Sequence, residues 1–443
     1  MKKSEPKILF SIICFLACFS LSAQSNNENK GLQSWSLDSC ISYARNNNIQ
    51  VLKSALSTEE AKVNLKEAKA ALFPSLTFSS SQNVSFQKDA EKSVIYNGSY
   101  TLDANVTLFN GGANINTIKK QGLSVDASNY NYLATSNDIE LSIIKAYYQI
   151  LYAHESVTTN KEIVNSSLKQ LERSKALLDA GTINKVEYAQ VESQYISDKY
   201  QLVVAQTSEE DALLSLKKLL EIDTSSAFAI NLEEAGLSEL DIIIPDKADV
   251  ENIALTTLPE IKAAQTDIKI SKLSESIAKA ERYPTLSLGG SIGTGHSSAL
   301  STNFGNQLSN GLSEVLSLRI SVPILNNRST KSKIERAQIA SLNAELSLEN
   351  TQKEISNAIA TIHLDAISAQ SRYDAASAKV KAAQESYNLI SEKFQLGMQN
   401  AVDILVEKNT LLSAIQEKLQ AKYTALLDLK LLNFYQTQGE RNN

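Results

Sequence analysis

Several absences narrow this chain before any motif is read. Only three histidines occur in 443 residues, and His154, His296 and His363 stand far apart. Thr158 occupies the place where a zincin's second histidine would follow His154-Glu155, so metal and nucleophile chemistry have no supporting spacing. Cysteine is as scarce: Cys14 and Cys18 fall in the first two dozen residues, which leaves Cys40 alone. An internal disulfide is excluded, and stability must come from packing or assembly. Neither proline nor glycine occurs between Leu123 and Ala180 or between Asn326 and Leu396, so nothing interrupts a helix there. The one long apolar run, Ile8 to Phe19, is too short to cross a bilayer. Excess positive charge is also missing, with a formal net charge of −6, and nothing favours nucleic acid.

What is present begins with a secretory pattern. Lys2, Lys3 and Lys7 precede the apolar run, and Leu21-Ser22-Ala23 closes it, so residues 1–23 read as a signal peptide cleaved after Ala23. A lipidated Cys18 is the alternative, and both outcomes mean export. Losing Lys2, Lys3, Lys7 and Glu5 takes the formal charge from −6 to −8.

The remaining chain is written twice. "AKAALFPSLTFS" (Ala68 to Ser79) matches "AKAERYPTLSLG" (Ala278 to Gly289) at an offset of 210, with Pro74 over Pro284. "LFNGGANINTIKK" (Leu108 to Lys120) matches "ILNNRSTKSKIER" (Ile324 to Arg336) at an offset of 216, and so does "AGTINKVEY" (Ala180 to Tyr188) against "LGMQNAVDI" (Leu396 to Ile404). The six additional residues fall in "GTGHSSALSTNFGNQLSNG", which reads as a loop. Each half, 24–223 and 250–443, has the order helix, strand hairpin, long helix, turn, return helix, and residues 224–249 join them.

Alternation marks the strands. Val94, Tyr96, Gly98, Tyr100, Leu102, Ala104, Val106 and Leu108 share one face, opposite Thr101, Asp103, Asn105 and Thr107. Leu316, Leu318, Ile320, Val322 and Ile324 alternate with Ser317, Arg319 and Ser321. Proline at 74 and 284 starts each hairpin. The strands are expected within about 75–108 and 285–324, at the length a bilayer-crossing strand needs.

Seven-residue spacing marks the rods. Ile143, Ile150, Val157, Val164, Leu171 and Leu178 form one row. Ile359, Ala366, Tyr373, Val380, Tyr387 and Phe394 form its counterpart, with a second stripe at Tyr147, Leu168, Ile362 and Ala369. Long helices are expected at about 114–180 and 328–396, ended by Gly181 and Gly397. The return helices fall at about 184–221 and 400–438. Single short helices, Leu37 to Leu72 and Val250 to Tyr283, precede the strands.

Four amphipathic strands cannot cross a bilayer alone, because a spanning sheet must close, and closed barrels start at about eight strands. Copies of the chain must therefore share one barrel. The duplicated strand starts, junctions and turns resemble the TolC-like outer-membrane efflux proteins over essentially the whole mature chain. That resemblance implies a mixed α and membrane-β fold. Its form is a homotrimer with a 12-stranded outer-membrane barrel in lipid, continued by a periplasmic α-helical coiled-coil barrel. It implies an exit duct without a cofactor or catalysis, docking with a periplasmic adaptor protein and an inner-membrane transporter. It also places the gate and adaptor-docking tips at Gly181, Thr182 and Glu187 and at Phe394, Gly397, Gln399 and Asp403. Phe394 and Gln399 stand where some members carry a tyrosine and an arginine, and Val406 where some carry a second acid. The strand-to-helix junctions are Asn110-Gly111-Gly112 and Asn326-Asn327.

Two plainer readings stand beside these. Glu187 and Asp403, at helix starts, also complement a helix dipole. The whole chain could instead be a coiled-coil scaffold whose hairpins are adhesive edges. "GGSIGTG" (Gly289 to Gly295) lacks the Gly-Lys-Ser/Thr ending of a phosphate loop and reads as loop glycines, and Trp35 and Tyr43 read as packing residues.

Overall fold

The computed structural model describes residues 34–86, 94–232, 243–396 and 398–441. The leader with Cys18 and the tip glycine Gly397 lie outside the described residues. A two-residue strand β1 (Ser34–Trp35) leads into α1 (Leu37–Asn47), α2 (Ile49–Ala70), β2 (Ser75–Phe86), β3 (Val94–Asn110), α3 (Ala113–Asp179) and α4 (Lys185–Leu219). After β4 (Ala229–Ile230) come α5 (Lys247–Thr257), α6 (Pro259–Ala280), β5 (Thr285–Ser297), α7 (Phe304–Asn310), β6 (Ser313–Ser321), α8 (Ser329–Gln395) and α9 (Ala401–Arg441).

Both long helices have 67 residues, about 100 Å at 1.5 Å per residue. α8 contains neither glycine nor proline, and α3 contains only Gly122, near its start, so little in either sequence interrupts the helix. The helices before the strands are not single, as 37–72 and 250–283 were expected to be. Each is cut near its start. The Asn48 side chain accepts from the amides of Gln50 and Val51, capping α2 while its backbone (φ −65°, ψ 128°) leaves the helix. At the matching place Leu258 precedes Pro259, and a residue before proline is pushed out of helical geometry.

The sheet order is β2-β3-β5-β6, all antiparallel, so β3 of the first half pairs β5 of the second. The register sorts its faces. One carries Leu76, Phe78, Leu102, Ala104, Val106, Leu288, Ile292, Leu316, Leu318 and Ile320, with Glu314 at the β6 start; the other carries mainly Ser, Thr, Asn and Gly with Asp103, Arg319 and Val315. The apolar side is bare: Phe86 is 79% exposed and Leu316 80%.

Three strand expectations change. β3 carries an irregularity between Thr107 and Phe109, so Leu108 is the displaced residue and Phe109, opposite Leu286, ends the apolar row. β6 stops at Ser321, leaving Val322 and Ile324 outside the strand, because Pro323 has no N–H to give a ladder. The glycines of "GGSIGTG" lie inside β5 rather than in a loop, and the segment expected to be a loop also contains α7.

Every strand joins a helix at the same end of the sheet, and the lateral order persists: α2, α3, α6 and α8 pack in sequence beneath β2, β3, β5 and β6. Beyond them α4 pairs α3, and α9 pairs α8. The main core sits at this changeover, where Ile143, Ile144, Tyr147 and Ile150 meet Cys40, Ala44, Leu216 and Leu220. Trp35 packs edge-on against Tyr43 there, 5.0 Å between rings.

The heptad row is deeply buried at Ile143, Ile150, Val157 and Ile359, but Val164, Leu171, Leu178, Tyr373, Val380 and Tyr387 are only half-buried and Leu168 is exposed. Toward the turns the tight seam moves three residues along, to Ala153, Asn160, Ser167 and Ser174 and to Ala369, Ala376 and Ala383. Small residues occupy it because the paired helices approach closely, and the larger side chains flank the contact.

Candidate functional site

The two helix-hairpin turns close with matching backbone hydrogen bonds. In the first, Gly181 has φ +74°, a left-handed conformation that glycine adopts without strain, and the Thr182 amide donates back to the Leu177 carbonyl at 2.9 Å. In the second, the Met398 amide donates to the Lys393 carbonyl at 2.9 Å. Both are six-to-one closures, spaced by the sequence offset.

The return helices then start alike. Asn184 accepts from the amides of Val186 and Glu187, while the Glu187 carboxylate accepts from the Asn184 amide at 3.1 Å, a complete capping box. Asn400 accepts from the Asp403 amide at 2.9 Å, and the Asp403 carboxylate accepts from the Gln399 side chain. Glu187 thus caps its helix start, whereas Asp403 stands in the first turn of α9 without bonding a helix amide through its carboxylate. Thr182, Glu187, Phe394, Gln399 and Asp403 come together around one cavity of about 400 Å³, completed by Leu177, Ile183, Met398 and Asn400. Phe394 is buried with Val191, Ala401 and Ile404, so it ties the two hairpins by apolar packing.

The sequence reading missed a second connection, above the cavity. Lys408 of α9 donates to the Asp198 carboxylate of α4 at 2.7 Å, and both side chains are about 5% exposed or less. Ser167 of α3 completes the cluster, accepting from Lys408 and donating to Asp198, and the Gln194 amide donates to the other Asp198 oxygen at 2.9 Å. Burial, offset in part by a hydrogen bond from Ser166 and reinforced by the Asp198 charge, raises the nearby Tyr387 phenol. A signal existed: Val191, Asp198, Ala205 and Ala212 recur every seven residues, and an acid in such a seam needs a partner. Higher up, Lys422 and Tyr423 of α9 both donate to Glu155 of α3.

The junctions at the sheet also agree. Gly111 and Gly112 have φ +66° and +83°, and Asn327 and Arg328, their counterparts, +50° and +66°. Asn110 accepts from the Asn114 amide, and Asn326 donates to the Thr330 hydroxyl. Pro74 and Pro284 immediately precede β2 and β5.

A family model described as outer membrane efflux protein matches residues 40–220 and again 251–434. The chain belongs to that family.

Among relatives of this efflux protein, the toxin and drug export protein A of Aggregatibacter actinomycetemcomitans is 22% identical over 88% of this chain and 83% of its own. The outer membrane protein TolC of Escherichia coli is 21% identical over 95% and 85%. Its fold is also that of solved channels. A crystal structure of CusC superposes with a TM-score of 0.75 at 18% identity, covering 94% of this chain and 95% of that one. The open state of the Neisseria gonorrhoeae MtrE channel gives 0.75 at 20%, covering 91% and 88%. The protein is an efflux or secretion channel of the outer membrane, in a family of channels rather than enzymes. No helix among the described residues is long and apolar enough to cross a membrane.

Proposed function

We propose that the mature chain, freed of residues 1–23, is one third of a trimeric duct. In it, three four-stranded sheets close a 12-stranded barrel in the outer membrane, and the α-helices prolong it through the periplasm. The observation that carries this is the sheet: apolar on one face, polar on the other, unpaired at β2 and β6, with every strand feeding a helix in the same lateral order. Bilayer lipid removes the penalty of the bare apolar face, and neighbouring copies remove that of the open edges. The halves 24–223 and 250–443 act as two copies of one unit linked by 224–249, and their recurring junctions and turns support it.

The cavity between the hairpin turns lies at the end farthest from the sheet. We assign it to the periplasmic gate and to docking of an adaptor protein linked to an inner-membrane transporter. Glu187 and Asp403 there add an acidic ring in a trimer, which favours cations. Relatives named for pyoverdine export and alkaline protease secretion support an exported cargo.

Extraction should require detergent, native mass measurement should give a trimer, and planar bilayers should show stable conductance. Recovery of the full mature chain as a water-soluble monomer would defeat the proposal and leave the coiled-coil scaffold.

A further inference from the structure

The strand end remote from the helices carries a feature the duct does not need. Thr294 and His296 of β5 stand opposite Tyr100 and Gly98, on the same face as Leu102, Ile292 and Leu316. The His296 ring fills the space above Gly98, where an added Cβ would come within 2.1 Å of it. Tyr96, Tyr100 and Phe304 surround that ring at 5.3, 6.0 and 4.8 Å between centroids. Phe304 opens α7, so the β5–β6 connection bends toward the apolar face. Polar bonds fix the bend: the Thr294 hydroxyl donates to the Leu308 carbonyl at 2.6 Å, and the Ser297 amide donates to the Gln307 side chain at 2.7 Å.

The connection from 298 to 312 contains no Asp, Glu, Lys or Arg. Its large side chains Leu300, Phe304 and Leu312 are more than half exposed in the single chain. A segment guarding a water-filled mouth gains nothing from such a surface. One continuous with a lipid-facing band and seated on tyrosines does, because aromatic and uncharged amphipathic groups settle at the boundary between headgroups and acyl chains.

We propose that residues 298–312 form a strap lying in the outer leaflet of the membrane, with Leu300, Phe304 and Leu312 directed into lipid, and that the strap leaves the barrel mouth uncovered. The inference rests on the lipid-facing reading of the sheet, and one set of variants separates the two.

Trp35, the only tryptophan, is replaced by phenylalanine, and Phe304→Trp or Leu318→Trp is introduced in its place. The full-length protein is reconstituted in vesicles of phosphatidylcholine brominated near the headgroup end of the chain or near its tip, with iodide as the aqueous quencher. The indole at 304 should be quenched severalfold more by the shallow bromines than by the deep ones and should be largely shielded from iodide. The indole at 318 should respond to bromines at both depths. If position 304 is quenched by iodide as in urea-unfolded protein and is indifferent to brominated lipid while 318 responds, the strap is overturned and the duct stands. If 318 is also indifferent, the lipid-facing band fails and the strap falls with it. Should Phe304→Trp misfold, Leu300→Trp gives the same reading.

Discussion

The two halves hold the same positions with different side chains, and the clearest contrast lies in their hairpins. Ser167 and Asp198 pair across α3 and α4; 216 residues on, Ala383 and Ala414 pair across α8 and α9 in a small apolar cluster. The same helix geometry thus accepts an acid and a hydroxyl, or two methyl groups. The acid is tolerable only because Lys408, from the other hairpin, reaches it. An alanine pair holds one hairpin together, whereas the polar triad holds one hairpin to the other. At this position the divergence is what interlocks the halves.

The sharpest way to break this comparison is to remove the lysine. Lys408→Met leaves the Asp198 carboxylate buried without its cation, and the expected cost is about 3–5 kcal/mol. Adding Asp198→Ala, which copies Ala414, should recover most of that loss. Urea unfolding followed by helical circular dichroism measures both. If the double variant is no more stable than Lys408→Met, the second hairpin is not a guide to the first.

The substitution also runs the other way. Asp428 of α9 stands 216 residues beyond Ala212, and both are buried. Burial, reinforced by Asp365, raises the Asp428 carboxyl to about 6, and one of its oxygens has no hydrogen-bond partner. A folded-state value above the ordinary carboxylate range means that the folded chain binds the proton more tightly than the unfolded one. Stability is then fully retained below about pH 4 and falls as pH rises to about 6. Asp428→Asn should flatten that part of the stability–pH curve and raise the melting temperature at pH 7, leaving pH 4 nearly unchanged. An unaltered curve would move the cause away from Asp428.

At the strand-to-helix junctions the comparison concerns backbone alone. A Cβ at Gly112 would meet no atom within 4 Å, so Gly112→Ala costs only its φ of +83°, about 1–2 kcal/mol. Arg328 bears the same kind of strain at +66°, and Arg328→Gly should relieve roughly 1 kcal/mol of it. Gly111 differs, since a Cβ there would lie 2.6 Å from the Ala280 carbonyl. Gly111→Ala should therefore exceed Gly112→Ala in thermal melts; equal effects would argue that the junction relaxes.

Much of this was legible from residues. Unbroken helices followed from the scarcity of glycine and proline, and the sheet faces from alternation between Val94 and Leu108. The end of the first long helix followed from Gly181. Three things were not. The breaks at Asn48 and Leu258 hide inside continuous helical patterns, although Pro259 was a usable sign. The shift of the seam to Ser167 and Ala383 depends on how closely two helices approach, which periodicity does not encode. The Lys408–Asp198 contact joins residues 210 apart, and only the packing of separate hairpins brings them together.

The smallest expected effect concerns the acids at the turns, where the halves agree in charge and differ in bonding. Glu187 closes a capping box, whereas Asp403 is held by Gln399. Glu187→Gln keeps an acceptor for the Asn184 amide and loses only the interaction of charge with the helix dipole, about 0.5 kcal/mol, and Asp403→Asn should cost as little. Their helices would fold as before, so any change in ion preference belongs to the charge itself. Reversal potentials across planar bilayers under a salt gradient should shift away from cations for each variant, and furthest for the pair. Should the pair leave the reversal potential unmoved while stability drops as stated, both carboxylates serve only to start their helices, and the two turns would be alike in that as well.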